Sequence, residues 1–339
     1  MNLAAWLLVA ASACCVSTPS PAQLTKPGEP VTVNWYHEAA VLRPVIAEYM
    51  RETGKKVVVT DDYDTFTTDV LLVSDFKGLT EGKKFRHFQP LASAAVNAAV
   101  PARWRDRDDY WTGILLRTRT PIYNRELVAK GDVPTSWFDL AQPKWRGKIT
   151  LRGADNVYNR TLIAWMIHHH GAAAARAWAA GMVANAGSQA RFVGDVANIG
   201  LVGQGVFAFG VVNTYYVGYV NAGLMGDDAA RRNLAKVAVA WMDGDGPGQP
   251  VNVTGAAINH NTENVADARR LIEWLVGKRG QELLTQHVFK YPVRSDVAPS
   301  AYLKSMGSFR MDLLDLNQLE YRYDEADRIL REVGWPARW

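Results

Sequence analysis

The segment Phe207-Ala-Phe-Gly-Val-Val-Asn-Thr-Tyr-Tyr216 limits the architecture of this chain more than any other stretch. Its first six residues form an apolar run, which suits a parallel strand covered on both faces. Polar residues begin where that strand should stop. In open α/β sheets, ligands sit in the crevice outside the carboxyl ends of the strands. Two phenols at such an end, Tyr215 and Tyr216, raise the question of a hard metal ion.

The start of the chain points to the same class. Val31-Thr-Val-Asn-Trp35 reads as a strand, and Ala40 to Thr53 has helical periodicity that ends at Gly54, a suitable C-cap. Lys56-Val-Val-Val-Thr60 and Asp69-Val-Leu-Leu-Val73 read as the next strands. This βαβ opening implies an α/β fold with a parallel sheet. Tyr110 to Asn124 reads as a strand pair or one crossing strand, and Gly147 to Leu151 and Val251 to Ile258 as further strands. Helices are expected over Thr161 to His169 and Ala172 to Ala184, broken at Gly171, and as one amphipathic helix over Ala266 to Gln286. Asp312 to Val333 is expected to be helical and to pack across the lobes. A chain of 339 residues exceeds one average core, so two domains are expected. The lobes are placed at 27–120 plus 253–310 and at 121–252, with a C-terminal helical segment at 311–339.

A net charge of +4 without any basic block gives no reason to expect nucleic acid as a partner. Residues 1–22 read as a secretory leader, apolar but too short to span a bilayer comfortably. No Lys or Arg precedes Lys26, and cleavage after Ala13 or Ala22 would suit the small residues there. Both cysteines, Cys14 and Cys15, lie in this leader. Cys14 is an alternative site for a lipid anchor. Cleavage after Ala22 leaves a mature chain without cysteine, so any metal must be held by oxygen or nitrogen.

Three segments bring polar side chains to strand ends. The first strand runs into Tyr36-His37-Glu38, the strand at Ile149 runs into Arg152-Gly-Ala-Asp-Asn-Val-Tyr158, and the third ends in Asn213-Thr-Tyr-Tyr216. Two facing lobes would let these ends meet in one cleft. Fe(III) is small, hard and highly charged, and a phenolate supplies the anionic oxygen that it prefers. A free tyrosine has a pKa of about 10, but a bound trivalent ion stabilises the phenolate. Binding should therefore release protons and weaken in acid.

At these residues the chain resembles the periplasmic iron(III)-binding proteins of ABC importers, within the type II periplasmic binding proteins. Asn213-Thr-Tyr-Tyr216 is similar to the paired-tyrosine motif of that family, and Val157-Tyr-Asn-Arg-Thr-Leu-Ile163 to a segment that carries a third tyrosine. Trp137-Phe-Asp-Leu-Ala-Gln-Pro-Lys-Trp-Arg-Gly-Lys148, Pro250-Val-Asn-Val-Thr-Gly-Ala-Ala257 and Tyr291-Pro-Val293 resemble its scaffold segments. The resemblance implies a two-lobed α/β fold with parallel and mixed sheets, a hinge and a ligand cleft between the lobes. It also implies Tyr158, Tyr215 and Tyr216 as metal ligands, with a further ligand from the first strand end. That ligand is taken as His37, with Glu38 next and Tyr36 also in register. Arg117 falls where the family places an arginine, to neutralise phenolate charge or hold a synergistic anion such as carbonate; a plain salt bridge is the other reading. The implied role is that of an exported, monomeric, periplasmic protein that captures Fe(III) and delivers it to an ABC permease in the inner membrane. One departure stands out: only eight residues, Asp61 to Thr68, separate the second strand from Asp69, where relatives usually carry a helix.

The same fold also suits Fe(II) or a small organic ligand of the thiamine, polyamine or phosphonate kind. Tyr215, Tyr216 and Trp165 would then be its walls. No G-x-S-x-G, H-E-x-x-H or Gly-rich phosphate loop occurs, so an enzyme is not expected. His168-His-His170 is read as a cationic helix end, because consecutive helical side chains diverge by about 100°.

Overall fold

One long strand joins two sheets in the computed structural model, which describes residues 24–62, 65–187, 190, 192–242, 244 and 246–337. The expected leader at 1–22, with Cys14, lies outside the described residues. The strands are β1 Val31–Asn34, β2 Val57–Thr60, β3 Val70–Val73, β4 Phe88–Gln89, β5 Thr112–Asn124, β6 Ile149–Thr150, β7 Phe209–Asn213, β8 Val237–Val239, β9 Val251–Asn259 and β10 Tyr291–Pro292. β1 lies parallel to both β2 and β3, and β3 meets β9 antiparallel. β5 pairs with β9 from Thr112 to Thr118 and with β7 from Arg119 to Tyr123. The handover therefore falls between Thr118 and Arg119. The path through both sheets is β2-β1-β3-β9-β5-β7-β6, so each end of β5 belongs to a different lobe. The apolar run chosen from sequence is β7, buried at all five positions and parallel to β6.

Local chemistry explains the main helices. The helix Ala39–Thr53 packs Leu42, Val45, Ile46 and Tyr49 inward and stops at Gly54, whose φ of 69° suits a residue without a Cβ. The helix Val157–Asn185 is broken at Gly171, where φ is 79° and ψ is 161°. Two expectations need correction. The helix foreseen over Ala266 to Gln286 is two helices, Val265–Val276 and Lys278–Val288, which meet at Gly277. A Cβ at Gly280 would lie 2.2 Å from the Trp274 carbonyl, so the second helix turns against the end of the first where only glycine fits. The C-terminal segment is less helical than foreseen: two 3-10 turns, Leu316–Gln318 and Glu320–Arg322, precede the helix Tyr323–Glu332. Tyr323 stacks on Phe76 at 6.3 Å and sets its hydroxyl 3.3 Å from Thr161 Oγ1, so this segment touches both lobes. Among the described residues, no helix is long and apolar enough to cross a membrane.

Candidate metal centre

Three phenols converge beside the carboxyl end of β7. The strand ends at Asn213, and Tyr215 and Tyr216 lie in the first turn of the helix Thr214–Asn221 rather than on the strand itself. Their rings stand 4.3 Å apart. Tyr158 is the second residue of the helix Val157–Asn185, whose N-cap Asn156 accepts from the Tyr158 backbone N–H at 3.0 Å. The Tyr158 and Tyr215 hydroxyls are 3.2 Å apart. All three tyrosines belong to the first turn of a helix, the end whose dipole favours anionic oxygen.

The surroundings set the charge. Arg117, Arg119 and Arg152 place their guanidinium carbons 4.4, 5.9 and 5.2 Å from the centre of the Tyr158 ring. Arg117 donates to Asp75 Oδ2 at 2.7 Å and to Asn213 Oδ1 at 3.2 Å. Arg119 and Arg152 share the carboxylate of Asp195, at 3.2 and 3.4 Å. Three cations thus face two carboxylates. Burial works against the charge on Arg117, but Asp75 and the Tyr158 and Tyr215 phenols hold its pKa above the ordinary value. Burial, followed by the neighbouring phenols, raises Tyr215 well above an ordinary phenol. Tyr216 is raised by burial, Tyr158 and Asp195. Without a cation the pair stays protonated, so ionisation must come from the ligand.

A cleft of about 530 Å³ opens over this cluster. Arg152, Tyr158, Tyr216 and Met225 line it from one lobe, and Trp35, Tyr36, His37 and Glu38 from the other. The three candidates at the first strand end differ sharply. Glu38 is buried, and its Oε2 accepts from Lys290 Nζ at 2.5 Å and Tyr219 OH at 2.9 Å, while Ser74 Oγ donates to Oε1 at 3.2 Å. It is therefore held as an internal counter-charge, with the Lys290 ammonium 4.3 Å from the Tyr215 ring centre. His37 is exposed, has φ of 65°, and lies 3.6 Å ring to ring from Tyr36. Both of these side chains are open to the cleft. Between β2 and β3, the described residues hold only the short 3-10 turn Thr65–Thr67.

A family model described as "Bacterial extracellular solute-binding protein" matches residues 67–306. This chain belongs to that family. Among curated relatives, this solute-binding protein is 30% identical to iron uptake protein A1 of Synechocystis sp., covering 95% of this chain and 92% of the relative. It is 25% identical to an Fe(3+)-binding periplasmic protein of Serratia marcescens, over 85% and 86% of the two chains. The open ferric iron-binding protein A of Mannheimia haemolytica superposes with a TM-score of 0.83 at 27% identity, over 91% of this chain and 99% of that one. A Trichodesmium protein in complex with iron and citrate superposes with a TM-score of 0.81 at 26% identity, over 91% and 100%. The fold is thus the two-lobed α/β fold of these binding proteins, with mixed parallel and antiparallel strands.

Sequence reasoning placed the three tyrosines of this solute-binding protein together, and they are neighbours. Arg117 lies beneath them, but with its two terminal nitrogens already bonded to Asp75 and Asn213. Arg152 was missed as a site residue, although it lines the cleft and contacts the Tyr158 ring. Its only sequence signal was a place in the loop between β6 and Tyr158. Within His168-His-His170, His169 meets Asp312 Oδ2 at 2.7 Å, which ties the helix to the C-terminal segment.

Proposed function

We propose that this protein captures ferric iron in its interlobe cleft, through the phenolates of Tyr158, Tyr215 and Tyr216, and delivers it to an ABC permease. The convergence of three phenols carries this reading. A shared cluster of buried arginines and two helix N-termini can stabilise three oxyanions around one trivalent cation. The relatives named for iron support the choice of cargo. His37 is the proposed ligand from the facing lobe, because Glu38 is committed to Lys290 and Tyr219. Arg152, rather than Arg117, is the arginine with access to a synergistic anion such as carbonate. The protein works as a periplasmic monomer, and no bond is made or broken in the cargo.

The test is a visible absorption titration of the chelator-stripped mature protein with ferric citrate. A saturating phenolate-to-iron band near one equivalent is expected, shifted or lost in Tyr158→Phe, Tyr215→Phe and Tyr216→Phe. A folded wild-type protein that shows no band would overturn phenolate ligation. Binding of iron with an unchanged band in all three variants would move the site elsewhere.

A further inference from the structure

We infer that a separate anion site lies behind the phenol cluster, and that it takes a monoatomic halide such as chloride. A small, partly open pocket with about 20 Å³ of room is lined by Arg117, Arg119, Tyr158, Thr161, Trp165 and Leu319, among others. Among the described residues, Tyr158 alone lines both this pocket and the interlobe cleft. A space of this size holds one water-sized guest.

Its chemistry selects the guest. Arg117 and Arg119 are 2% and 5% exposed. Arg117 spends Nη1 on Asn213 and Nη2 on Asp75. Arg119 spends Nη1 on Asp195, and Nη2 on Asn159 Oδ1 and the Val211 carbonyl. The Nε–H of each arginine is buried with no hydrogen-bond partner among the described residues. Bare buried donors are costly, which argues for a guest. On the wall, the Thr161 hydroxyl proton is committed and the Asn252 amide oxygen is already engaged as an acceptor. Thr161 Oγ1 donates to Asp75 Oδ1, and Asn252 Oδ1 receives the backbone N–H of Phe76 and of Val253. A water molecule would need acceptors for its own two protons, whereas a halide needs donors alone. Within this cluster Arg117, Arg119 and Arg152 outnumber Asp75 and Asp195 by one, while Asp312, bonded to the wall residue Trp165, is set against His169. A single bound anion neutralises the surplus of that cluster. The site stands apart from the cargo reading, and neither of its tests involves iron.

The experiment uses the iron-free mature chain. Crystals grown with sodium bromide as the sole halide are measured at the bromine edge. One anomalous peak is expected between the two Nε atoms. Thermal unfolding is then compared in sodium chloride and sodium gluconate at equal ionic strength. Chloride is expected to raise Tm saturably, by mass action on the folded state. Leu319→Phe fills the pocket while leaving every donor in place, and should abolish the chloride effect. Arg119→Lys keeps the charge, removes one Nε–H and should weaken the effect. An anomalously silent pocket, or a Tm indifferent to the choice of anion in the wild-type protein, overturns the proposal.

Discussion

The buried phenols of Tyr215 and Tyr216 cannot ionise alone. Tyr215, Tyr216 and Tyr219 are all held well above the ordinary phenol pKa by burial, with Glu38 adding to the effect at each. In the unfolded chain the same groups ionise near pH 10. Their folded pKa values are raised, so the stability they contribute is fully present below about pH 10 and is lost as pH rises beyond it. The Tm of the iron-free protein should therefore fall as pH rises above about 10, and that of Tyr215→Phe should fall less. Under the proposed function ferric iron inverts the relation, because each protonated phenol that became a ligand would release a proton. Iron affinity should thus rise with pH over the neutral range and collapse in acid, as followed by the phenolate band. An affinity independent of pH would contradict ligation by phenols that start protonated. At this scale the sequence was most legible where residue type carries the chemistry, as in the adjacent tyrosines. It was least legible where a contact carries it. Nothing local in Tyr36-His37-Glu38 says that Glu38 is claimed by Lys290, 252 positions away, while His37 remains open.

The elements explain why the tyrosines hold their places. The helix Thr214–Asn221 rests on Phe289, the left-handed C-cap of the helix Lys278–Val288, and touches it at Gly218. A Cβ there would lie 2.5 Å from the Phe289 ring, so Gly218→Ala must push the helix or the ring aside. Such overpacking costs about 1–3 kcal/mol. Urea unfolding should show that loss, and iron affinity should fall although every ligand remains. Unchanged affinity would mean that the phenols tolerate movement of their helix. Strand and helix identities were readable from β1 through the helix Ala39–Thr53 to β9, because buried faces write their period into the sequence. The break at Gly277 was not. The amphipathic period continues through it, and only the close approach of Gly280 to Trp274 marks it. The C-terminal segment was over-read for a similar reason. Its apolar residues face two lobes, so their spacing follows tertiary contacts instead of one helical face.

At the scale of the whole molecule, ligands and lobes are divided unequally. Tyr158, Tyr215 and Tyr216 all stand on helices beside the β6–β7 sheet, whereas Tyr36 and His37 follow β1 in the other sheet. The phenols can thus hold iron from one side before the far lobe takes part. A cargo favours the joined arrangement only through contacts that exist there and not in the separated one. Two imidazoles line the far wall, and of these His37 is exposed whereas His87 is half-buried and stacked on Phe66. β5 leaves β9 for β7 between Thr118 and Arg119, and under the proposed function that crossing is where the lobes would rotate. In His37→Ala the phenolate band should persist, iron affinity should fall about tenfold or more, and the iron-induced decrease in the radius of gyration by small-angle X-ray scattering should vanish. Tyr215→Phe should instead lose or shift the band. The two variants thus separate capture from closure. If His37→Ala contracts on iron as the wild-type protein does, the far lobe closes on the ion through another group, and Tyr36 is the first to test.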